Sequence, residues 1–169
     1  MATHTPNIQV RAAVPEDAPA IAAVLVAAFA EYEPAYTPRA LAATTPTSDQ
    51  IKPRFNEGPV WVALLDGAIV GTVSAVPKGE RLYVRSMGVL PAARGHGIGG
   101  TLLRQVESFA AEGGYKSLFL STTPFLAGAI ALYERFGFRC TSEGPHDLFG
   151  TPLFTMVKEL GVQELGPGK

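Results

Sequence analysis

The sequence predicts a mixed α/β fold in which a mostly antiparallel central sheet is flanked by helices. Three observations predict it. Asp66-Gly67 separates two apolar runs, the strongest short hairpin signal. Two segments repeat apolar residues at helical spacing, Ile21 to Phe29 and Ile98 to Ala110. Strand-like and helical segments then alternate to the end of the chain. With 47% apolar against 17% charged residues, a chain of 169 has ample material for one core. We expect one domain over 1–169, with its ordered core at about 7–160.

Ile8-Gln9-Val10-Arg11 alternates as a strand does, and Pro15-Glu16-Asp17 supplies a helix-starting proline with two acids that suit the positive helix end. In the following helix Ile21, Val24, Leu25, Ala28 and Phe29 share one face. From Glu31 to Pro59 five prolines interrupt the chain, leaving short helices near Pro38–Ala43 and Ser48–Phe55; this stretch reads as a folded rim. Val60–Leu65 and Ala68–Ser74 are the two hairpin strands, and Arg81–Leu90 is a third, ended by Pro91. A helix from Ile98 stops at Gly113-Gly114. Ser117–Thr122 is a strand, Phe125–Phe136 a helix with Ala129, Leu132, Tyr133 and Phe136 on one side, and Leu153–Lys158 a last strand.

A net charge of -1 provides no global positive field, so neither nucleic acid nor a membrane is expected as a partner. His4, His96 and His146 are scattered and show no metal-ligand spacing, so no metal is expected. The one cysteine, Cys140, has no internal disulfide partner and reads as a small packed residue. MATHTPNIQV lacks a secretory pattern, and the longest apolar run, Ile21–Ala30, is shorter than a bilayer requires. A cytoplasmic protein is expected.

The chemistry concentrates in Arg94-Gly95-His96-Gly97-Ile98-Gly99-Gly100. Gly95, Gly97 and Gly100 satisfy GxGxxG, but a dinucleotide fingerprint follows the first strand of a βαβ unit and needs an acid about twenty residues on. This loop follows an antiparallel meander, and the later strand ends Leu120-Ser121-Thr122. A Gly-Lys-Ser/Thr nucleotide loop is absent too. A helix N-terminus leaves N–H groups unpaired and partly positive, and glycines clear the approach for a phosphate. Gly95, Gly97 and Gly99 are therefore expected to curl around an anion, with Arg94 adding charge at the rim. His96 is expected to expose its ring and to offer its backbone N–H.

Met87-Gly88-Val89-Leu90 through Gly99 resembles the acetyl-CoA motif of the GCN5-related N-acetyltransferase (GNAT) family, Arg/Gln-x-x-Gly-x-Gly/Ala, with Arg94, Gly97 and Gly99 in its fixed places. Leu132-Tyr133-Glu134-Arg135-Phe136-Gly137-Phe138 is similar to that family's Leu-Tyr-x-x-x-Gly-Phe segment. The resemblance implies the GNAT acyl-CoA N-acyltransferase fold and an acetyl-CoA-dependent N-acetyltransferase that uses direct transfer onto a primary amine, here of a small molecule. It admits a homodimer. A non-catalytic acyl-CoA-binding module and a peptide or protein N-acetyltransferase are the alternatives.

By the same resemblance, coenzyme binding falls to Met87, Gly88, Val89, Arg94, Gly95, His96, Gly97, Ile98, Gly99 and Gly100. Met87 and Val89 would pair their main chain with pantetheine, and Gly88 between them would suit a bulge. Tyr133 takes the place of the general acid. No carboxylate stands where many relatives keep their base: Arg85, Ser86, Ser121 and Thr122 are there, leaving Glu31, Glu33, Glu80 and His146 as candidates by proximity. Leu126 replaces an asparagine that relatives direct at the coenzyme. Glu31, Tyr32, Glu33 and Tyr36 would form a rim that holds a cationic amine by charge and cation–π attraction.

Overall fold

The computed structural model describes residues 5–160. Its strands are β1 (Ile8–Ala12), β2 (Val60–Leu65), β3 (Ala68–Lys78), β4 (Arg81–Val89), β5 (Ser117–Thr122), β6 (Arg139–Cys140), β7 (His146–Leu148) and β8 (Thr151–Glu159). They form a sheet of order β1-β2-β3-β4-β5-β8-β6, with β7 paired to β8. Every pairing is antiparallel except β4 with β5. Asp66 and Gly67 turn the β2–β3 hairpin at φ 52° and 87°, the double left-handed turn that their pairing predicts.

The helices are α1 (Ala18–Phe29), α2 (Pro38–Thr44), α3 (Ser48–Ile51), α4 (Ile98–Glu112) and α5 (Ala127–Arg135). Strand alternation divides the core into two layers. Trp61 and Ala63 of β2 pack with Ile98, Leu102 and Val106 of α4 on one face, while Val60 and Val62 pack with Ile21 and Leu25 of α1 on the other. Leu102 and Leu25 are fully buried, each contributing about 1.5–3 kcal/mol by removal from water. Gly71 lets α4 lie against the sheet, since a Cβ there would stand 3.1 Å from Ile98 Cγ2.

Asp17 fixes the entry to α1. Its carboxylate accepts from Arg11 Nη1 at 2.8 Å, from Arg11 Nη2 at 3.1 Å and from the Val14 N–H at 2.9 Å. The Arg11 hydrogen bonds hold its pKa below the usual carboxylate range.

Three expectations need correction. The short strands β6 and β7 add to those that the sequence predicts, because two or three residues carry no readable alternation. Cys140 is exposed rather than packed, because β6 lies at the sheet edge. The helical run Pro15–Ala35 reaches 21 residues, long and apolar enough to cross a membrane by length and composition, because 3-10 turns continue α1 at both ends. In this fold Ile21, Val24, Leu25 and Ala28 of that run are buried.

Candidate active site

The parallel pair β4–β5 is in register only over Arg81↔Ser117, Leu82↔Leu118 and Tyr83↔Phe119, and the strands then part. The last pair is marked by stacking of the Tyr83 and Phe119 rings, 5.0 Å apart, with Arg81 lying 3.9 Å over Phe119. Beyond it, β4 keeps β3 on one edge and has no strand partner on the other among the described residues.

A bulge lies where β4 leaves β5. Thr72 faces Gly88 and Ser74 faces Arg85, so Val73 alone opposes Ser86 and Met87. The bulge residue is Ser86, at φ 56°, and not Gly88. A left-handed serine costs about 1–2 kcal/mol, offset in part by Arg54 Nη1, which donates to Ser86 Oγ at 2.8 Å. Gly88 serves packing instead: a Cβ there would meet Leu25 Cδ2 at 3.1 Å and Ala28 Cβ at 3.2 Å. Met87 and Val89 are half-buried and pack on the α4 face of the core.

α4 begins beside this opened edge. Its first backbone bond runs from the Thr101 N–H to the Gly97 carbonyl at 3.0 Å, and no side chain caps its start. The N–H groups of Ile98, Gly99 and Gly100 therefore stand ahead of the helical ladder. Gly95 and Gly97 have φ 89° and 76°, and a Cβ on either would point into open space, the opening a bound anion requires. Gly99 is different and needs correction: its φ is not positive, and a Cβ there would come within 2.8 Å of Leu132 Cδ2. Gly99 lets α4 approach α5, as Gly100 does against Phe136. His96 is exposed, with Nδ1 3.0 Å from the Ala93 carbonyl.

Tyr133 projects from α5 into the core, 8% exposed, its ring 5.8 Å from that of Phe138. Its hydroxyl makes no hydrogen bond to another described residue. Burial pushes the phenol up to about 12, with nearby Tyr36 adding to the shift. Tyr36, expected on the rim, is buried against Phe125 (4.9 Å) and Phe29 (6.5 Å). Burial raises its pKa too, while the hydroxyls of Thr44 and Thr123 pull it back from nearby without reaching full hydrogen-bond geometry. The Thr122 and Thr123 hydroxyls, where β5 ends, are buried without a partner among the described residues. Leu126 precedes α5 as its cap residue and is buried, so that position offers no polar group.

The candidate acids lie apart from the bulge or are engaged. Glu31 accepts from Arg94 Nη1 at 2.6 Å, and Arg94 Nη2 also donates to the Ala28 carbonyl at 3.2 Å. Glu33 is exposed in the 3-10 segment after α1. Glu80 sits at the far end of β4, 3.6 Å from Lys116, and His146 is exposed on β7. Sequence reasoning missed another acid, Glu57, which Arg85 beside the bulge holds through Nη2 at 2.7 Å. Arg39 and Arg54 were missed as well. Both lie in the proline-rich stretch, where no periodicity singles them out.

The forked β4–β5 pair and the uncapped, glycine-lined start of α4 place an open strand edge beside a helix end suited to an anion. The chain belongs to the Acetyltransferase (GNAT) family, whose profile matches residues 24–138. Among curated relatives, the uncharacterized N-acetyltransferase YjgM of Escherichia coli is 33% identical over 133 residues, 73% of this chain and 77% of that protein. Human N-acetylaspartate synthetase is 40% identical over 105 residues, 61% of this chain but 35% of its own length. The chain thus spans about a third of that protein. The PaiA N-acetyltransferase of Thermoplasma acidophilum, solved in complex with coenzyme A, shares the fold at a TM-score of 0.77 and 17% identity, over 91% of this chain and 99% of its own. The chain is an N-acetyltransferase.

Proposed function

We propose that this enzyme moves the acetyl group of acetyl-CoA directly onto a primary amine of a small molecule, with both substrates bound together. The observation that carries the reading is the fork: β4 offers a free main-chain edge at the bulge, directly beside the open start of α4. Met87 and Val89 would pair that edge with the pantetheine arm. The N–H groups of Ile98, Gly99 and Gly100 would hold the pyrophosphate, with Gly95 and Gly97 keeping its approach clear and Arg94 adding charge.

Two features support direct transfer to a small acceptor. The sole cysteine, Cys140, lies with Arg81 and Ser117 at the closed end of the β4–β5 pair, so a covalent acetyl-thiol route lacks a thiol at the fork. A hollow of about 490 Å³, lined by residues of α2 and α3 with Arg54 and Phe149, would receive a small acceptor, since Arg54 also reaches Ser86 at the bulge.

Tyr133 is the residue for the departing sulfur. A free thiol has a pKa of about 8.5, so a phenol held at about 12 remains protonated and donates a hydrogen bond, and full proton transfer to the thiolate runs uphill. No free carboxylate stands at the bulge among the described residues, so the amine reaches the acetyl group neutral, having given its proton to water.

The test is calorimetric binding of acetyl-CoA followed by thiol release with a panel of amines. Binding together with acceptor-dependent release supports the reading. A folded protein that binds no acetyl-CoA, or that releases one equivalent of thiol without any acceptor, overturns it.

A further inference from the structure

We infer that the acceptor carries a carboxylate a few bonds from its amine, and that Arg54 and Arg39 select it. This rests on the acetyltransferase reading and adds the chemical class of the acceptor.

The hollow beside the fork has two charged residues in its lining, Arg39 and Arg54, and both are cations. Arg39 lies 4.3 Å over the Phe149 ring and has no acid within ion-pair distance among the described residues. Half-buried Arg54 donates to a neutral group, Ser86 Oγ. Burial lowers the Arg54 pKa and neighbouring Arg85 lowers it further, both marks of a cation short of compensating charge. Glu57 does not supply that charge fully, because Arg85 holds it. The third polar group of the lining, Gln50, has its carbonyl oxygen taken by the Thr47 N–H at 2.9 Å, so its amide offers donors. The lining is therefore rich in donors and positive, the character that suits a carboxylate.

Arg54 also fixes where the anion lies relative to the chemistry. It touches Ser86, the bulge residue, so an anion on its remaining N–H groups lies next to the fork, and an amine a few bonds away can reach the acetyl group. An amino acid has this form. A polyamine or a simple alkylamine would instead place its ammonium against unpaired guanidinium groups. Two hydrogen bonds hold the walls of the hollow together. Thr37 Oγ1 donates to the Phe149 carbonyl at 2.7 Å, and the Thr37 N–H donates to Thr151 Oγ1 at 3.1 Å, which ties α2 to the β7–β8 turn.

The experiment compares thiol release for matched acceptors: amino acids, their amides and their decarboxylated amines, with acetyl-CoA affinity measured separately. The carboxylate member should be preferred by about 10- to 100-fold in kcat/KM. Arg54→Gln and Arg39→Gln should each remove most of that ratio; Arg39→Gln, which touches nothing on β4, should also leave acetyl-CoA affinity unchanged, whereas Arg54→Gln frees Ser86 at the bulge and is read from the ratio alone. Arg54→Lys, which keeps charge without the planar pair of donors, should retain part of it. Equal or better use of the amides and amines by the wild type overturns the inference, as does a ratio that survives in both Gln variants. A chain that binds no acetyl-CoA fails the acetyltransferase reading, and the inference falls with it. If acetyl-CoA binds but no acceptor in the panel turns over, N-acetyl amino acids and their amides are titrated in the presence of coenzyme A; equal binding of the two overturns the inference, and Arg54-dependent preference for the acids supports it.

Discussion

Tyr133→Phe separates chemistry from packing. The substitution deletes one oxygen and keeps the ring against Phe138. Because the hydroxyl makes no hydrogen bond to another described residue, its loss strands no protein partner, and the unfolding free energy should change by no more than about 0.5 kcal/mol. For a chain of this size that is a Tm shift of about 1–2 °C. The effect on turnover should be far larger. A hydrogen bond to a developing thiolate is charge-assisted and contributes about 1.5–3 kcal/mol, so kcat should fall by on the order of 10²-fold. With the phenol held at about 12, no Tyr133 titration should appear in the kcat profile below about pH 10. The assay is steady-state thiol release with an acceptor for which chemistry limits turnover, with acetyl-CoA affinity by calorimetry expected to match wild type. A variant that is folded, binds acetyl-CoA normally and keeps wild-type kcat would refute the reasoning and leave Tyr133 as a packing residue.

The remaining predictions address the loop, the rim and the N-terminal ion pair. Gly97→Asp should abolish acetyl-CoA binding by placing bulk and like charge where the pyrophosphate would lie; a folded variant with unchanged affinity would remove the loop from the site. Gly99→Ala should act on stability, at about 1 kcal/mol because its Cβ meets the mobile end of Leu132, and Leu132→Val in the same chain should restore the Tm; a Tm unchanged by Gly99→Ala would contradict the packing role. Glu31→Gln releases Arg94 from a half-exposed ion pair, so acetyl-CoA Kd should fall by up to about 5-fold, and a raised acceptor KM instead would return Glu31 to the amine rim. Asp17 has a depressed folded-state pKa, so its stabilisation is complete above its ordinary value of 3.8 and is lost as pH falls through the lower folded-state value. Asp17→Asn should therefore cost about 1–3 kcal/mol at pH 6 and progressively less below pH 3.8, and denaturation midpoints showing a constant gap would refute that assignment.

What the sequence makes legible follows the range of the interactions. The Asp66-Gly67 turn, the α4 stripe and the positive-φ glycines at 95 and 97 are local, decided by residues within a few positions, and they can be read directly. Sequence reasoning favours Gly88 for the bulge because glycine is the residue that takes unusual backbone most cheaply. The bulge falls at Ser86, whose hydroxyl meets a guanidinium 32 residues away, and no local pattern records such a contact. The same reason hides the packing role of Gly99, whose neighbour is Leu132 on another helix, and directs Glu31 to the amine when its partner is Arg94. Tyr36 resembles a rim residue beside two acids, yet Phe125, far along the chain, buries it. Composition misplaces Cys140: cysteines are usually buried, but a two-residue edge strand has little to bury them with.

The way the acceptor hollow is attached bears on how such an enzyme changes its trade. Acetyl-CoA would meet main chain on β4 and α4, parts that the core itself specifies, whereas the proposed acceptor hollow is lined by α2 and α3 of a proline-punctuated segment tethered through Thr37 to Phe149 and Thr151 and through Arg54 to Ser86. If that hollow takes the acceptor, substitutions in α2 should alter acceptor choice with little effect on β4, whereas Arg54 couples the two because it also bonds Ser86 at the bulge.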